Sequence, residues 1–247
     1  MKLNYHCNDL STQNNIINTL SSNGLGVTNN GKIFFAGVGM SINANALYLM
    51  RHAETLGTQN HQFMSNNSSN SHISFKGKQD IANLNNNLEK YNFDYIIVCC
   101  DIPRVLETAF ELKSLYPQMN YIHINNVYGI NNGGWEGKTP QSLTGIDLSD
   151  YIEREVNKNI FAKSSRGGSW GEVLLNTVFL INYINSNLSH KRILLISQGS
   201  ILQGLKIITH TDKSPWGNYD SKKMYNLDKK QTISNYGKIV RIYDNCI

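Results

Sequence analysis

Short, uniformly apolar runs alternate along the chain with segments whose apolar residues recur every three or four positions. The uniform runs predict buried strands, and the three- to four-residue spacing predicts amphipathic helices. The predicted strands, in chain order, are KIFFAGVG, ALYLM, YIIVCC, YIHIN, ILLIS and GKIVRIYDN. The predicted helices lie near residues 9–20, 77–91, 103–116 and 170–188, and a further one follows ILLIS.

Strands that alternate with helices predict a largely parallel sheet covered by helices on both faces. We therefore expect an α/β protein with a mostly parallel central sheet. Ligands of such sheets bind at the carboxyl ends of the strands. The candidate site residues are therefore those that directly follow LYLM, IIVCC and ILLIS.

Composition limits the function without choosing it. A chain of 247 residues with 40% hydrophobic residues is long enough for one large α/β domain. The net charge is +5, but the basic residues cluster only at 220–231, so no nucleic-acid partner is expected. The four cysteines have no metal-type spacing, and neither a secretory signal nor an 18-residue apolar stretch is present. We expect a reduced, cytoplasmic protein without a membrane segment, a metal or a cofactor.

Side chains that can bind an anion or act as a nucleophile follow two of the predicted strands. Arg51 and His52 come directly after ALYLM, and Arg104 lies in the first turn of the helix after YIIVCC. Guanidinium groups bind phosphate oxygens two at a time, and an imidazole is a nucleophile that can accept a phosphoryl group. An isolated Arg–His pair is more often a surface feature, but three such residues at one sheet edge favour phosphoryl recognition.

Six blocks in the same order resemble the histidine phosphatase superfamily, in the branch of cofactor-dependent phosphoglycerate mutase and fructose-2,6-bisphosphatase. They are LYLMRHAET, CDIPRVLETAFEL, GGWEGKTPQSL, GGSWGEVLLNTVFLINYI, ILLISQGSIL and ISNYGKIVRIYD. The resemblance implies a three-layer α/β/α sandwich like that of phosphoglycerate mutase. It also implies that His52 becomes phosphohistidine, that Arg51 and Arg104 bind the phosphoryl oxygens, and that Thr55 adds a hydroxyl to the same site.

The sequence departs from the family pattern at four positions. Ala53 replaces the glycine after the histidine, and Thr58 is a shorter phosphate ligand than the family's asparagine. The family's general acid, a glutamate six residues before the tryptophan of Trp-Glu-Gly, falls on Gly129. The second histidine falls on Gln198, whose amide can still donate a hydrogen bond to a phosphoryl group. The last two changes replace side chains that can gain or lose a proton near neutral pH with groups that cannot.

Loss of the acid predicts a preference among leaving groups, because general-acid help is typically worth about a hundred- to ten-thousand-fold in rate. Acyl phosphates, anhydrides, phosphohistidine and aryl phosphates, whose leaving groups need no proton, should therefore react faster than sugar phosphates. Other groups are candidates to supply the proton. They are Glu54, Glu107, Glu136, His61, His123 and the loop segment VYGINNGG.

Two functions agree with these residues. The first is a phosphohydrolase that acts through phospho-His52 on a phosphorylated small molecule or phosphoprotein and is weak on alkyl phosphates. The second is a catalytically inactive module that binds phosphate or another protein. A mutase is least expected, because transfer between two hydroxyl groups needs acid and base help in both directions.

About 45 residues precede the first family block, so the chain divides into an extension, residues 1–45, and a histidine-phosphatase-like domain, residues 46–247. The extension is predicted to form a helix and an extra strand. Its segment NGKIFFAGVGMSINAN weakly resembles the first strand and Gly-x-Gly-x-Ser turn of phosphosugar-isomerase domains. Since a lone G-x-G is a weak signal, an extra strand that caps the edge of the sheet is the preferred interpretation.

Overall fold

A computed structural model of the protein describes residues 10–64, 69–84, 88, 91–211 and 214–216, and the backbone of residues 239–244. Its strands are β1 (Leu25–Val27), β2 (Ile33–Phe35), β3 (Ala46–Arg51), β4 (Tyr95–Cys99), β5 (Asn120–Ile124), β6 (Arg192–Ser197) and β7 (Ile239–Asp244). Its α-helices are α1 (Leu10–Ser21), α2 (Leu56–Gln59), α3 (Phe75–Ala82), α4 (Pro103–Leu115), α5 (Gly145–Tyr151), α6 (Trp170–Asn187) and α7 (Gly199–Ile208).

Five strands form the central sheet, in the order β5-β4-β6-β3-β7. The neighbouring pairs β3–β6, β6–β4 and β4–β5 are parallel, whereas β7 runs antiparallel to β3 at one edge. The mostly parallel sheet predicted from the alternation of strands and helices is therefore confirmed.

The sheet separates two hydrophobic cores, because successive side chains of a strand point to opposite faces. In β3, Leu47 and Leu49 belong to the core that also contains buried residues of α1, α6 and α7. Tyr48 and Met50 belong to the core on the other face, which α3 and α4 cover. The result is the expected three-layer α/β/α sandwich.

Two helical segments differ from the sequence-based expectation. The helix predicted over residues 77–91 begins at Phe75, after the capping side chain of Ser74, and ends at Ala82. The segment between β5 and α6, where the sequence predicts no helix, contains α5 and a π-helical turn, Ile152–Val156. α5 has no buried residue, so its sequence lacks the apolar periodicity that would have indicated a helix.

The N-terminal extension packs on one face of the sandwich. Ile16 and Leu20 of α1 are buried in the same core as α6. The predicted extra strand is β2, but it pairs with β1 in a separate two-stranded sheet and not with the edge of the central sheet. The Gly-x-Gly-x-Ser turn lies at the C-terminal end of α7, where the Met40 amide donates to the Ile208 carbonyl at 2.9 Å.

Candidate active site

The carboxyl ends of β3, β6 and β4 lie side by side and bring the predicted residues together. Arg51 is the last residue of β3, and the amide of His52 donates to the carbonyl of Ser197 at the end of β6 at 3.0 Å. Gln198 caps the start of α7, and Arg104 lies in the first turn of α4. The four side chains therefore meet at one edge of the sheet, as the strand ends predicted.

The cluster of Arg51, His52, Arg104 and Gln198 is termed the pocket. Within it, His52 is a buried, neutral imidazole whose Nε2 faces Arg104. Its side chain is 3% exposed, and Nδ1 lies 2.8 Å from the Ala53 carbonyl oxygen. Because a carbonyl only accepts, Nδ1 carries the proton and Nε2 keeps its lone pair. Burial first, and then the charges of Arg104 and Arg51, hold the pKa of His52 well below its ordinary value of 6.5. The imidazole is therefore uncharged at neutral pH, and its Nε2 lone pair accepts a hydrogen bond from Arg104.

Arg104 donates hydrogen bonds to four residues of the site. It is 2% exposed, and its Nε donates to His52 Nε2 at 3.2 Å. Its Nη1 donates to Ser71 Oγ at 2.8 Å, and its Nη2 donates to the Met64 carbonyl at 3.5 Å and to Gln198 Oε1 at 3.0 Å. A buried guanidinium held by four neutral acceptors keeps its full charge, so it can bind an anion that takes their place.

Arg51 contributes the second guanidinium, at the start of α7. A Cβ atom placed on Gly199 would lie 3.3 Å from Arg51 Nε and 3.4 Å from its Cζ. The arginine therefore packs closely against the first turn of α7, where the absence of a side chain at Gly199 gives it room.

The orientation of Gln198 follows from its neighbours. Since an arginine only donates hydrogen bonds, the atom that faces Arg104 is the carbonyl oxygen Oε1. The amide nitrogen then points to Cys100 Sγ at 3.7 Å. Burial raises the pKa of Cys100 to about 11, so this neighbour remains a protonated thiol. The sequence predicted an amide that donates to a phosphoryl group, whereas in this structure the amide presents an acceptor to Arg104.

Gly129, the predicted position of the missing acid, lies directly against Gln198. A Cβ atom on Gly129 would come within 3.0 Å of Gln198 Oε1 and 2.3 Å of Ser200 Oγ. The Ser200 hydroxyl is itself held by the Ile130 amide at 2.9 Å. The two departures from the family pattern are therefore neighbours on one side of the pocket, and the space at 129 is too small for a longer side chain while Ser200 is present.

The two threonines predicted to bind phosphate form a cap for α2. Thr55 Oγ1 accepts from the Thr58 amide at 3.1 Å, and Thr58 Oγ1 accepts from the Thr55 amide at 2.8 Å. This reciprocal capping box fixes the turn after His52. The phosphate-binding role of both hydroxyls stays a prediction.

Sequence reasoning missed three groups that hold the pocket. Ser71 and the Met64 carbonyl accept from Arg104, and buried Thr108 accepts from the Ala53 amide at 2.9 Å while donating to the Arg104 carbonyl at 2.6 Å. Thr108 thus ties the turn after His52 to α4. Ser71 lies in a polar segment without periodicity, so no sequence pattern indicated its role.

Most of the proposed substitutes for the acid are engaged elsewhere. Glu54 pairs with Lys76 at 3.3 Å, and Glu107 bonds to His72 and to the Ile73 amide. His123 Nε2 lies 3.0 Å from both the Cys100 carbonyl and Asp101 Oδ1. Each of the three side chains therefore has a partner other than the residues of the candidate site.

Two of the remaining candidates for the acid, His61 and Glu136, differ in exposure. His61 is exposed in a turn with positive φ. Glu136 is half-buried, and its Oε1 has no hydrogen-bond partner among the residues that the structure describes. Among the residues that the structure describes, no three or more His, Cys, Asp or Glu side chains cluster so that they could hold a metal ion. No described helix is both long and apolar enough to span a bilayer.

Comparison with known proteins agrees with this geometry. Residues 47–226 match the family model of the histidine phosphatase superfamily (branch 1). No curated protein matches the chain in sequence.

Solved structures share the fold at low sequence identity. The α-ribazole phosphatase of Shigella flexneri has a TM-score of 0.61 at 19% identity, covering 81% of this chain and 91% of its own. A phosphoserine phosphatase of Entamoeba histolytica has a TM-score of 0.57 at 20% identity, covering 79% and 89%. A phosphoglycerate mutase of Bacillus anthracis has a TM-score of 0.55 at 16% identity, covering 81% and 88%. These similarities establish the fold alone, so the chemistry must be argued from the pocket.

Proposed function

Because the chain belongs to the histidine phosphatase superfamily, we propose that it is a phosphohydrolase in which His52 accepts the phosphoryl group of the substrate. The observation that carries the proposal is the state of the imidazole. Its Nδ1–H is held by the Ala53 carbonyl, and its Nε2 lone pair faces the Arg104 guanidinium. This is the arrangement of an oriented, neutral nucleophile beside a cation.

The reaction has two displacement steps. First, His52 Nε2 forms a bond to phosphorus while the bond between phosphorus and the leaving oxygen breaks. A water oxygen then bonds to phosphorus while the bond between Nε2 and phosphorus breaks, which releases inorganic phosphate and the free imidazole. As the phosphoryl group enters, its oxygens replace His52 Nε2 and Gln198 Oε1 as acceptors from Arg104. Arg51 and Arg104 then stabilise the charge spread over those oxygens in the transition state.

The leaving-group side of the pocket favours a particular substrate class. Gly129, Gln198 and Ser200, which contact one another there, carry no group that titrates near neutral pH. A leaving oxygen that must be protonated, as in a sugar phosphate, therefore finds no acid among them. We accordingly assign aryl or acyl phosphates, of a small molecule or a protein, as the better substrates.

A substrate panel tests the proposal. We expect kcat/KM for an aryl or acyl phosphate to exceed that for a sugar phosphate by at least about a hundredfold, the low end of general-acid contributions. His52→Ala should abolish turnover of both classes, whereas His190→Ala, which changes an exposed histidine near the other end of β6, should not. Faster turnover of the sugar phosphate would contradict the assigned substrate class.

One observation favours a second function, a phosphate-binding module without turnover. The carbonyl of Gln198, where the family has a histidine, already occupies a donor of Arg104, and the acid position is Gly129. Binding of vanadate without hydrolysis of any member of the panel would identify this module.

A further inference from the structure

Arg154 is a buried charge outside the pocket. It lies in the π-helical turn after α5 and is 1% exposed. Its Nε donates to Glu155 Oε1 at 2.8 Å, its Nη2 donates to Asn132 Oδ1 at 2.8 Å, and its Cζ lies 4.2 Å from the centre of the Trp135 ring. Because breaking a buried ion pair is strongly destabilising, these directed contacts hold the segment around Arg154 in one arrangement.

Asn132 connects this charge to the pocket. Its side chain is 6% exposed, with Oδ1 facing Arg154 and Nδ2 donating to the Met64 carbonyl at 3.2 Å. The same carbonyl accepts from Arg104 Nη2. A continuous set of hydrogen bonds thus runs from Arg154 through Asn132 and Met64 to Arg104, whose Nε faces His52.

A second set of contacts holds Phe63, the residue before Met64. The Phe63 amide donates to the Lys138 carbonyl, and the Gly137 amide donates to the Phe63 carbonyl, both at 2.8 Å. The Phe63 ring also packs on Trp135, with ring centres 5.4 Å apart. Arg154 lies over the Trp135 ring on which Phe63 packs, so it also supports the backbone next to Met64.

We propose that Arg154 and Asn132 are positioning residues that hold the Met64 carbonyl, and through it the Arg104 guanidinium, in register with His52 Nε2. The proposal rests on the proposed function for its effect on phosphoryl binding. The placement of Arg104 beside His52 does not depend on that function, and the titration of His52 measures it separately.

Asn132→Ala tests the proposal, because it removes the bond to Met64 and adds no charge. We expect vanadate affinity to fall about tenfold, the loss of roughly one charge-assisted hydrogen bond. The pKa of His52, followed by the NMR signal of its Cε1 proton, should rise because Arg104 no longer lies so close to it. Asn132→Asp is the second variant, for use if Asn132→Ala does not fold. It is nearly isosteric and keeps an acceptor for Arg154, but it lacks the donor to the Met64 carbonyl, so it should also weaken vanadate binding.

Asn185→Ala is the matched control, since Asn185 also bridges two segments, accepting from the Asn43 amide and donating to the Ser41 carbonyl far from the pocket. It should leave the His52 titration and vanadate affinity unchanged. Equal effects of the alanine variants at 132 and 185 would overturn the proposal. If the wild-type protein binds no vanadate, the proposed function fails, and the His52 titration alone decides: a shift in Asn132→Ala supports the positioning role, and no shift overturns it.

Discussion

The two sides of the pocket differ in the chemistry that their residues can perform. On the side of β3 and α4, His52 and Arg104 supply an oriented nucleophile and a buried cation. On the side of β6, Gln198, Gly129 and Ser200 supply only neutral groups, packed tightly against one another. Under the proposed function, this difference separates the residues that bind and accept the phosphoryl group from the position where the leaving group would be protonated.

The largest effect should come from weakening the cationic side. Arg104→Lys keeps the charge but loses the planar fork that reaches His52, Ser71 and Gln198 at once. We expect kcat/KM for an aryl phosphate to fall by about a hundredfold or more, as for loss of one transition-state donor. Arg192→Lys is the control, because Arg192 is a half-buried arginine whose Nε donates to the Tyr91 carbonyl at the opposite end of β6 from the pocket. A similar loss in both variants would indicate general destabilisation instead.

A gain of function should come from restoring an acid on the neutral side. Because a side chain at 129 would meet Ser200 Oγ, Gly129→Glu is combined with Ser200→Ala. We expect hydrolysis of a sugar phosphate to rise by at least about tenfold, below the full range for general-acid catalysis because the placement is not optimised. Gly129→Gln with Ser200→Ala fills the same space without an ionisable group. If this control raises the rate equally, the gain reflects packing and not proton transfer.

A negative charge at residue 198 should weaken anion binding by Arg104 on the opposite side of the pocket. In Gln198→Glu, a carboxylate would face Arg104 and compete with the bound anion, so vanadate affinity should fall about tenfold, the worth of one charge-assisted hydrogen bond. Gln198→Leu removes the amide without adding charge and should cost less. Isothermal titration with vanadate measures both. Equal losses would show that the charge at this position has no influence on Arg104.

The smallest effect concerns stability in acid. The folded protein holds the pKa of His52 below the ordinary value of 6.5 that the unfolded chain shows. Between the lowered value and 6.5, the unfolded state binds more protons, so the free energy of unfolding falls as pH falls through this window. The slope from one histidine is at most about 1.4 kcal/mol per pH unit.

Urea unfolding at several pH values checks this sign. His52→Gln should flatten the decline below pH 6.5, and His190→Gln, which changes an exposed histidine, is the control. An equally steep decline in His52→Gln and the wild type would show that other groups cause it.

The strands and their ends were predictable because a buried parallel strand needs an uninterrupted apolar run. β3, β4 and β6 are almost entirely buried, and the residues after them follow from chain direction alone. The meeting of Arg51, His52 and Arg104 at one edge therefore required only the strand positions and the parallel order.

The rest depends on contacts between distant segments, which no local pattern contains. The orientation of the Gln198 amide is set by Arg104, 94 positions earlier in the chain. The Thr55 and Thr58 hydroxyls serve a four-residue helix too short to show periodicity. The antiparallel partner of β2 is a three-residue strand, and its short pattern, LGV, carries no clear signal.

The most direct test of the account is whether His52 carries a phosphoryl group during turnover. The wild-type protein is mixed with an aryl or acyl phosphate, quenched rapidly and examined by intact mass and peptide mapping. We predict one added phosphoryl group, located on His52, absent in His52→Ala and present in His190→Ala. A phosphoryl group on another residue, undiminished hydrolysis by His52→Ala, or a protein that binds vanadate yet never becomes phosphorylated would contradict the account.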